Sequence, residues 1–337
     1  MGLNTSEILK AWRKIARGER PSLSIEITRE CPLRCPGCYA YEQDHLGGGV
    51  TLRELSDYKG QALIDGVLEV VDRIQPLHLS IVGGDPLVRY RELVILVPQL
   101  LALGIHLQIV TSAFRPLPQG WANLPRLTVA VSIDGLQPEH DARRKPATYE
   151  RILKNITGQK ITVHCTITAQ MMERPGYLAD FLAFWSPVPE VHKVWFSIFT
   201  PQVGDALPEI LTPQQRAQAV NEMFRLRKLY PKLDMPEELL RQFAAPPHSP
   251  AECTFALTTQ TLSADLRTKI TPCQFGGTPD CASCGCIASM GLAAISAHKM
   301  GGFIPVGAIF KASLKLGQAW AARRAVAPSQ PVFNIIR

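Results

Sequence analysis

The sequence predicts an α/β protein built on an open parallel sheet, as a partial barrel or a doubly wound sheet. Short β-branched runs recur at Leu23–Thr28, Leu77–Val82, Ile105–Thr111, Leu127–Ile133, Ile161–Thr168 and Val194–Phe199. Amphipathic patterns of helical period lie near residues 51–74, 90–103, 147–157, 177–185 and 213–230. Such alternation builds βαβ units around a parallel sheet. Six strands are too few for a closed eight-stranded barrel, and both remaining forms place ligands at the carboxyl ends of their strands.

The 337 residues suffice for a sizeable core, and 46% hydrophobic with 19% charged residues fits an ordered globular chain. No heptad run, low-complexity tract or internal repeat is present. The first thirty residues lack the apolar core of a signal peptide, and no apolar run reaches the roughly 18–20 residues that span a bilayer. A cytoplasmic setting is expected, where thiols stay reduced and grouped cysteines usually bind metal. The net charge of +7 is concentrated at one end. No Asp or Glu follows Asp280, while Lys299, Lys311, Lys315, Arg323, Arg324 and Arg337 do. A nucleic-acid binder would carry its basic charge more evenly, so no nucleic-acid partner is expected.

Directly after the first strand the chain reads Thr28-Arg-Glu-Cys31-Pro-Leu-Arg-Cys35-Pro-Gly-Cys38-Tyr39. Three thiolates on one short loop can hold three irons of a [4Fe–4S] cube and leave the fourth open for a small chelating ligand. Zinc would ordinarily ask for four closed ligands in paired C-x2-C form. After the second strand comes Gly83-Gly84-Asp85-Pro86, where glycines allow close backbone approach and the carboxylate can face an ammonium. Thr111-Ser112-Ala113 ends the third strand. Ser132-Ile-Asp134-Gly135, then His140, Asp141 and Arg144, follow the fourth.

From about residue 22 to 200 these motifs resemble the radical S-adenosylmethionine superfamily. The resemblance implies a partial (β/α)6 barrel over 21–243, preceded by an N-terminal helix over 1–20. It implies a catalytic [4Fe–4S] cluster on Cys31, Cys35 and Cys38, and S-adenosylmethionine chelated to the open iron. Reductive cleavage would then give a 5′-deoxyadenosyl radical, the electron coming from a donor such as flavodoxin or ferredoxin. By analogy Gly83, Gly84 and Asp85 serve the methionine amino group, and Ser112, Ser132, Asp134 and Tyr39 line the cofactor site. Asp85 stands where relatives carry Glu, which hands more of that task to the Gly83 and Gly84 carbonyls. Gly37 stands where many relatives have an aromatic. His140 and Asp141 read as capping and packing residues.

The Pro-rich segment Ala244–Pro250 marks a boundary, beyond which Cys253, Cys273, Cys281, Cys284 and Cys286 form a cysteine-rich extension over 251–300. Cys253, Cys273, Cys281 and Cys284 suit an auxiliary iron–sulfur cluster, and zinc would accept the same four thiolates. Cys286 is the alternative ligand, in place of Cys284 or Cys253. The region resembles SPASM or twitch extensions without the full SPASM pattern, and its spacing resembles the hopanoid-adenosylating branch. Cys165, inside an apolar strand, reads as a buried thiol.

Residues 301–337 read as a basic amphipathic helix and tail, the helix running from Phe303 to Ala327 with Val306, Ile309, Phe310, Leu314, Gly317, Trp320 and Ala321 on one stripe. Such a helix docks on its own barrel or lies on an anionic membrane surface. The second alternative would place the protein peripherally on the inner membrane face. Three functions follow: a radical enzyme acting on a lipid or isoprenoid, the slightly preferred expectation; a ribosomal-peptide maturase; or a non-catalytic zinc protein.

Overall fold

The computed structural model describes residues 5–41, 45–46, 55–146, 149–297, 299–300 and 304–326. Seven parallel strands form the main sheet: β1 Ser22–Glu26, β2 His78–Val82, β3 His106–Thr111, β4 Leu127–Ser132, β5 Ile161–Ile167, β6 Val191–Ile198 and β7 Thr259–Leu262. Their spatial order is β6-β5-β4-β3-β2-β1-β7. The six expected strands thus lie side by side in chain order, as right-handed βαβ crossovers require. β7 was not expected. Thr259-Gln-Thr-Leu262 has little apolar content of its own, and it joins the sheet by pairing with β1 in register Ser22–Thr259 to Ile25–Leu262.

Twelve helices are described: α1 Thr5–Ala16, α2 Gly60–Ile74, α3 Tyr90–Ala102, α4 Gln137–Arg143, α5 Tyr149–Asn155, α6 Ala169–Met172, α7 Tyr177–Trp185, α8 Pro213–Leu226, α9 Glu237–Ala244, α10 Thr254–Thr258, α11 Ile287–Ala297 and α12 Val306–Val326. The second helix starts at Gly60, later than its apolar pattern suggested. Residues 55–59 run extended because Asp57 is engaged elsewhere, accepting from the Thr28 hydroxyl at 3.0 Å and the Arg29 N–H at 3.2 Å. Tertiary hydrogen bonding overrides local helix propensity there.

The strands alternate in character. Leu23, Ile25, Leu79, Ile81, Leu107, Ile109, Val131 and Val163 belong to one buried core under the helices. The other face carries polar side chains in register, Ser24 beside Ser80 and Ser80 beside Gln108. Farther round, Ser132 neighbours His164 and Thr166 neighbours Ser197. A strand buried on both faces would instead be apolar throughout.

The carboxyl-terminal helix is docked. Val306, Phe310 and Ser313 are buried, while Lys311 and Lys315 are exposed. At Gly317 the backbones of α12 and α1 meet: a Cβ there would stand 2.3 Å from the Ile15 carbonyl oxygen. Phe303, Ala327 and the tail to 337, with Arg337, lie outside the described residues, as do the side chains of Trp320 and Ala321. No helix among the described residues is long and apolar enough to cross a membrane. Gly317→Val should cost roughly 1–3 kcal/mol by overpacking this contact. A denaturation midpoint equal to that of the parent protein would contradict the docked arrangement.

Candidate functional site

The three-cysteine loop leaves the carboxyl end of β1 and is held there by backbone. Ile27 N–H donates to the Val82 carbonyl at 2.9 Å, Gly84 N–H to Thr28 at 2.8 Å, and Asp85 N–H to Glu30 at 2.9 Å. The two glycines are needed for this approach. Gly83 has φ +122°, and a Cβ on Gly84 would lie 2.2 Å from the Glu30 carbonyl oxygen. The buried Arg89 guanidinium reinforces the seam, pairing with Glu30 at 2.9 Å and with Asp57 at 3.1 Å. On the other side Arg34 N–H donates to the Lys145 carbonyl at 3.0 Å.

Cys31, Cys35 and Cys38 are free and half-buried. Burial pushes Cys31 up to about 12 and Cys38 to about 11, and Cys31 also feels both partner thiols. Such thiols keep their protons until a metal displaces them. Three soft donors on one loop, mutually close enough to disfavour each other's ionisation, fit the irons of a cubane.

Asp85 is buried, and its carboxylate is fully engaged within the protein. It accepts from Thr111 Oγ1 at 2.7 Å, Ser112 N–H at 2.8 Å, Ser112 Oγ at 2.5 Å and Leu87 N–H at 3.0 Å. Burial pushes its pKa up and these donors pull it back. The carboxylate therefore ties the ends of β2 and β3 together, which leaves the Gly83 and Gly84 carbonyls as the polar groups of that turn placed to meet a ligand.

Asp134 plays a similar part after β4. Burial opposes its charge, but Arg144 at 2.8 Å, Arg143 at 3.2 Å and the Thr166 N–H at 3.0 Å hold it well below the carboxylate range. Arg143 also reaches Glu209 at 3.0 Å. Ser132 is buried one register step from His164, whose ring meets Ser197 Oγ at 2.7 Å. His140 Nδ1 accepts from Asp134 N–H at 3.1 Å, and Asp141 accepts from Tyr149 N–H at 2.7 Å to start α5. Both therefore act in capping and packing.

The buried pair of Glu26 and His45 escaped the sequence reading. His45 Nε2 lies 2.7 Å from Glu26 Oε1, and its Nδ1 lies 2.9 Å from the Phe275 carbonyl oxygen. Burial works against a charged ring, but Glu26 and that carbonyl outweigh it, so His45 titrates above its ordinary value. Tyr39 stacks at 5.6 Å from His45 and edge-on at 5.1 Å from Phe275. The catalytic-loop side and the cysteine-rich side are thus bound through one buried cluster. The signal available was a carboxylate inside the apolar first strand, which demands a buried partner.

Cys253, Cys273, Cys281, Cys284 and Cys286 all line one small, partly open pocket. Burial pushes Cys273 up to about 12 and Cys281 to about 11, and each feels Cys253 and Cys284. Cys286 Sγ accepts from Gln274 Nε2 at 3.2 Å, and Cys253 Sγ lies 3.1 Å from Ser289 Oγ. Among the described residues no three His, Cys, Asp or Glu side chains are gathered around a single-ion position. Cys165 is buried within the sheet core.

The family model of the Radical SAM superfamily matches residues 25–169, from β1 to the start of α6. The chain is similar to Fe-coproporphyrin III synthase of Methanosarcina barkeri, at 23% identity over 249 residues, 71% of this chain and 59% of that protein. It therefore spans about three fifths of that relative's length. Among solved structures it is similar to native anSMEcpe with bound AdoMet, with TM-score 0.55 and 13% identity, covering 90% of this chain and 97% of that one. It is also similar to Streptococcus suis SuiB bound to precursor peptide SuiA, with TM-score 0.51 and 14% identity, covering 95% and 70%. At these identities the solved structures show the fold, a partial barrel with an added parallel edge strand. The segment that carries the three-cysteine loop is a radical SAM domain. That superfamily uses a [4Fe–4S] cluster and S-adenosylmethionine, and the three-thiol loop lies inside the matched segment.

Asp134→Ala should cost about 3–5 kcal/mol, because it strands the partly buried Arg144 guanidinium and leaves Arg143 only Glu209. In the parent protein this pair contributes fully above the unfolded Asp pKa of about 3.9 and is lost as pH falls toward the depressed folded value. Urea midpoints across acid pH check both statements: the variant should lack the parent's loss of stability below that pH.

Proposed function

We propose that this chain reductively cleaves S-adenosylmethionine at a cluster held by Cys31, Cys35 and Cys38, and directs the radical at an unactivated carbon of a polar substrate of the peptide class. The carrying observation is the three-thiol loop at the carboxyl end of the sheet, zipped to the Gly83–Gly84 turn. When bound, the cluster supplies one electron to the sulfonium, releasing methionine and a 5′-deoxyadenosyl radical. The protein's share is to position: Gly83 and Gly84 offer backbone carbonyls to the methionine ammonium, and Ser132 offers a hydroxyl to the ribose or carboxylate. Asp85 and Ser112 hold that turn in shape. A one-electron carrier of the flavodoxin or ferredoxin class supplies the electron, and a second iron–sulfur centre on Cys253, Cys273, Cys281 and Cys284, with Cys286 as alternative, sits beside the barrel mouth.

The expected lipid or isoprenoid substrate has less support than the peptide alternative. Its main argument is a membrane-facing tail helix, and that helix buries Val306 and Phe310 and meets α1 at Gly317, leaving Lys311 and Lys315 outside. The inner face of the sheet is lined by Ser24, Ser80, Gln108, Ser132, His164 and Ser197. An apolar chain lying there would leave Ser80, Gln108 and Ser132 without water, a cost of roughly 1–3 kcal/mol each, while His164 and Ser197 keep each other. SuiB in complex with its precursor peptide offers a parallel in the same fold.

Anaerobically prepared protein should hold about eight irons, at four per cubane, and release 5′-deoxyadenosine when reduced. Replacing Cys31, Cys35 and Cys38 together by Ala should leave about four irons and abolish release. Turnover persisting in that variant would refute the catalytic assignment. Release stimulated by the lipid fraction of a cell extract rather than its peptide fraction would restore the lipid reading.

A further inference from the structure

We infer that Arg216 is both the clamp and the counter-charge of the auxiliary centre, a role that rests on the reading of Cys253, Cys273, Cys281 and Cys284 as iron–sulfur ligands. Arg216 lies just beyond the first turn of α8, whose start is fixed by a reciprocal cap between Thr212 and Gln215. Its guanidinium reaches away from that helix into the cysteine-rich side. Nε and Nη2 donate to the Phe243 carbonyl at 3.0 and 2.8 Å, Nη1 donates to Ser283 at 3.0 Å, and Nη2 donates to Cys284 at 2.6 Å.

Every one of these acceptors is a neutral carbonyl. Among the described residues Arg216 makes no ion pair with a carboxylate, and the anionic groups that act on it are Cys284 and Asp280. A half-buried cation normally sits against an opposite charge, because losing water without gaining a partner is costly. A position near a helix N-terminus makes the absence of a carboxylate costlier still, since the dipole there favours anions. The local structure accepts both penalties at the loop that carries Cys284. A cluster ligated by four thiolates is a net anion, and it supplies the missing charge.

The clamp acts with a second contact from the opposite side. A Cβ on Gly285 would stand 2.1 Å from the Ile198 carbonyl oxygen. Ile198 N–H donates to the Gly285 carbonyl at 2.9 Å, and Gly285 N–H donates to Thr200 Oγ1 at 2.9 Å. Cys284 is therefore fixed between the end of β6 and the Arg216 fork. Arg216 is a positioning residue: it touches the ligand's backbone, and its charge acts on the centre through a few ångströms of protein. Adding an electron to an anionic cluster is easier beside a fixed cation, so the centre should be easier to reduce with Arg216 than without it.

The test uses full-length protein purified anaerobically, with iron and sulfide analysis and a potentiometric titration followed by electron paramagnetic resonance. Arg216→Met removes charge and fork. It should lose at least about half of the auxiliary iron, keep the cluster on Cys31, Cys35 and Cys38, and shift the remaining auxiliary signal to a more negative midpoint. Arg216→Lys keeps the charge without the fork, so it should lose iron yet hold a midpoint near that of the parent. Arg216→Met with full iron and an unchanged midpoint overturns the inference. So does Arg216→Lys with a midpoint shifted as far as in Arg216→Met, or, should the Met variant fail to fold, shifted at all from the parent. A parent protein holding about four irons, or zinc at the second site, would refute the auxiliary-cluster reading itself and remove this role with it.

Discussion

The backbone seam between Thr28–Glu30 and Gly83–Asp85 is the constraint on which the catalytic end depends. The loop bearing Cys31, Cys35 and Cys38 has little regular structure of its own: it is mostly turns, with one short 3-10 segment at Tyr39–Tyr41. Its position is set by extending the β1–β2 ladder beyond the strands, through Ile27, Gly84 and Asp85 N–H groups. That extension works only if residue 84 has no side chain, since the Glu30 carbonyl occupies the space. The same close approach leaves the Gly83 and Gly84 peptides bare of side chains at the sheet's edge, where a ligand can meet them. One packing requirement thus places both the thiol loop and the backbone that would face its ligand.

Buried carboxylates stabilise this end in a repeated way. Glu26 at the end of β1, Asp85 after β2 and Asp134 after β4 are each desolvated, and each is matched by donors from a neighbouring strand end or loop. Such groups add little net stability over an apolar core, yet losing a partner is expensive, so they enforce one arrangement of the loops. The thiols behave oppositely. Burial raises them, so they stay neutral unless a metal replaces their protons.

How much of this was legible depended on the range of the interaction. Strands β1 to β6 and the three-cysteine loop were readable because their signals are local: β-branched runs, and ligands within eight residues of each other. The start of α2 was misplaced because Asp57 is claimed by Thr28 and Arg29, a contact no window of sequence contains. β7 was missed because its threonines become a strand only against the edge of β1. Asp85 carried its expected importance in an unexpected direction, since a carboxylate after two glycines looks like a ligand group and is here a brace. Arg216 gave no signal at all and His45 only the indirect one of a carboxylate in an apolar strand, because their partners lie 68 residues away at Cys284 and 19 away at Glu26.

β7 changes how the cysteine-rich segment relates to the barrel. The chain returns after α10 to cover the open edge of β1, which removes an exposed parallel edge next to the catalytic loop. From that strand it proceeds through Ser263, which donates to Glu26 at 3.3 Å, and on to Phe275, whose carbonyl meets His45 and whose ring meets Tyr39. Gly276 completes the contact, for a Cβ there would collide with the His45 carbonyl oxygen at 1.8 Å. The second cysteine group is therefore built into the same sheet and the same buried cluster as the first. A frame shared through β7 and the Glu26–His45–Phe275 cluster ties the two cysteine groups to one sheet, which a flexibly tethered extension could not do.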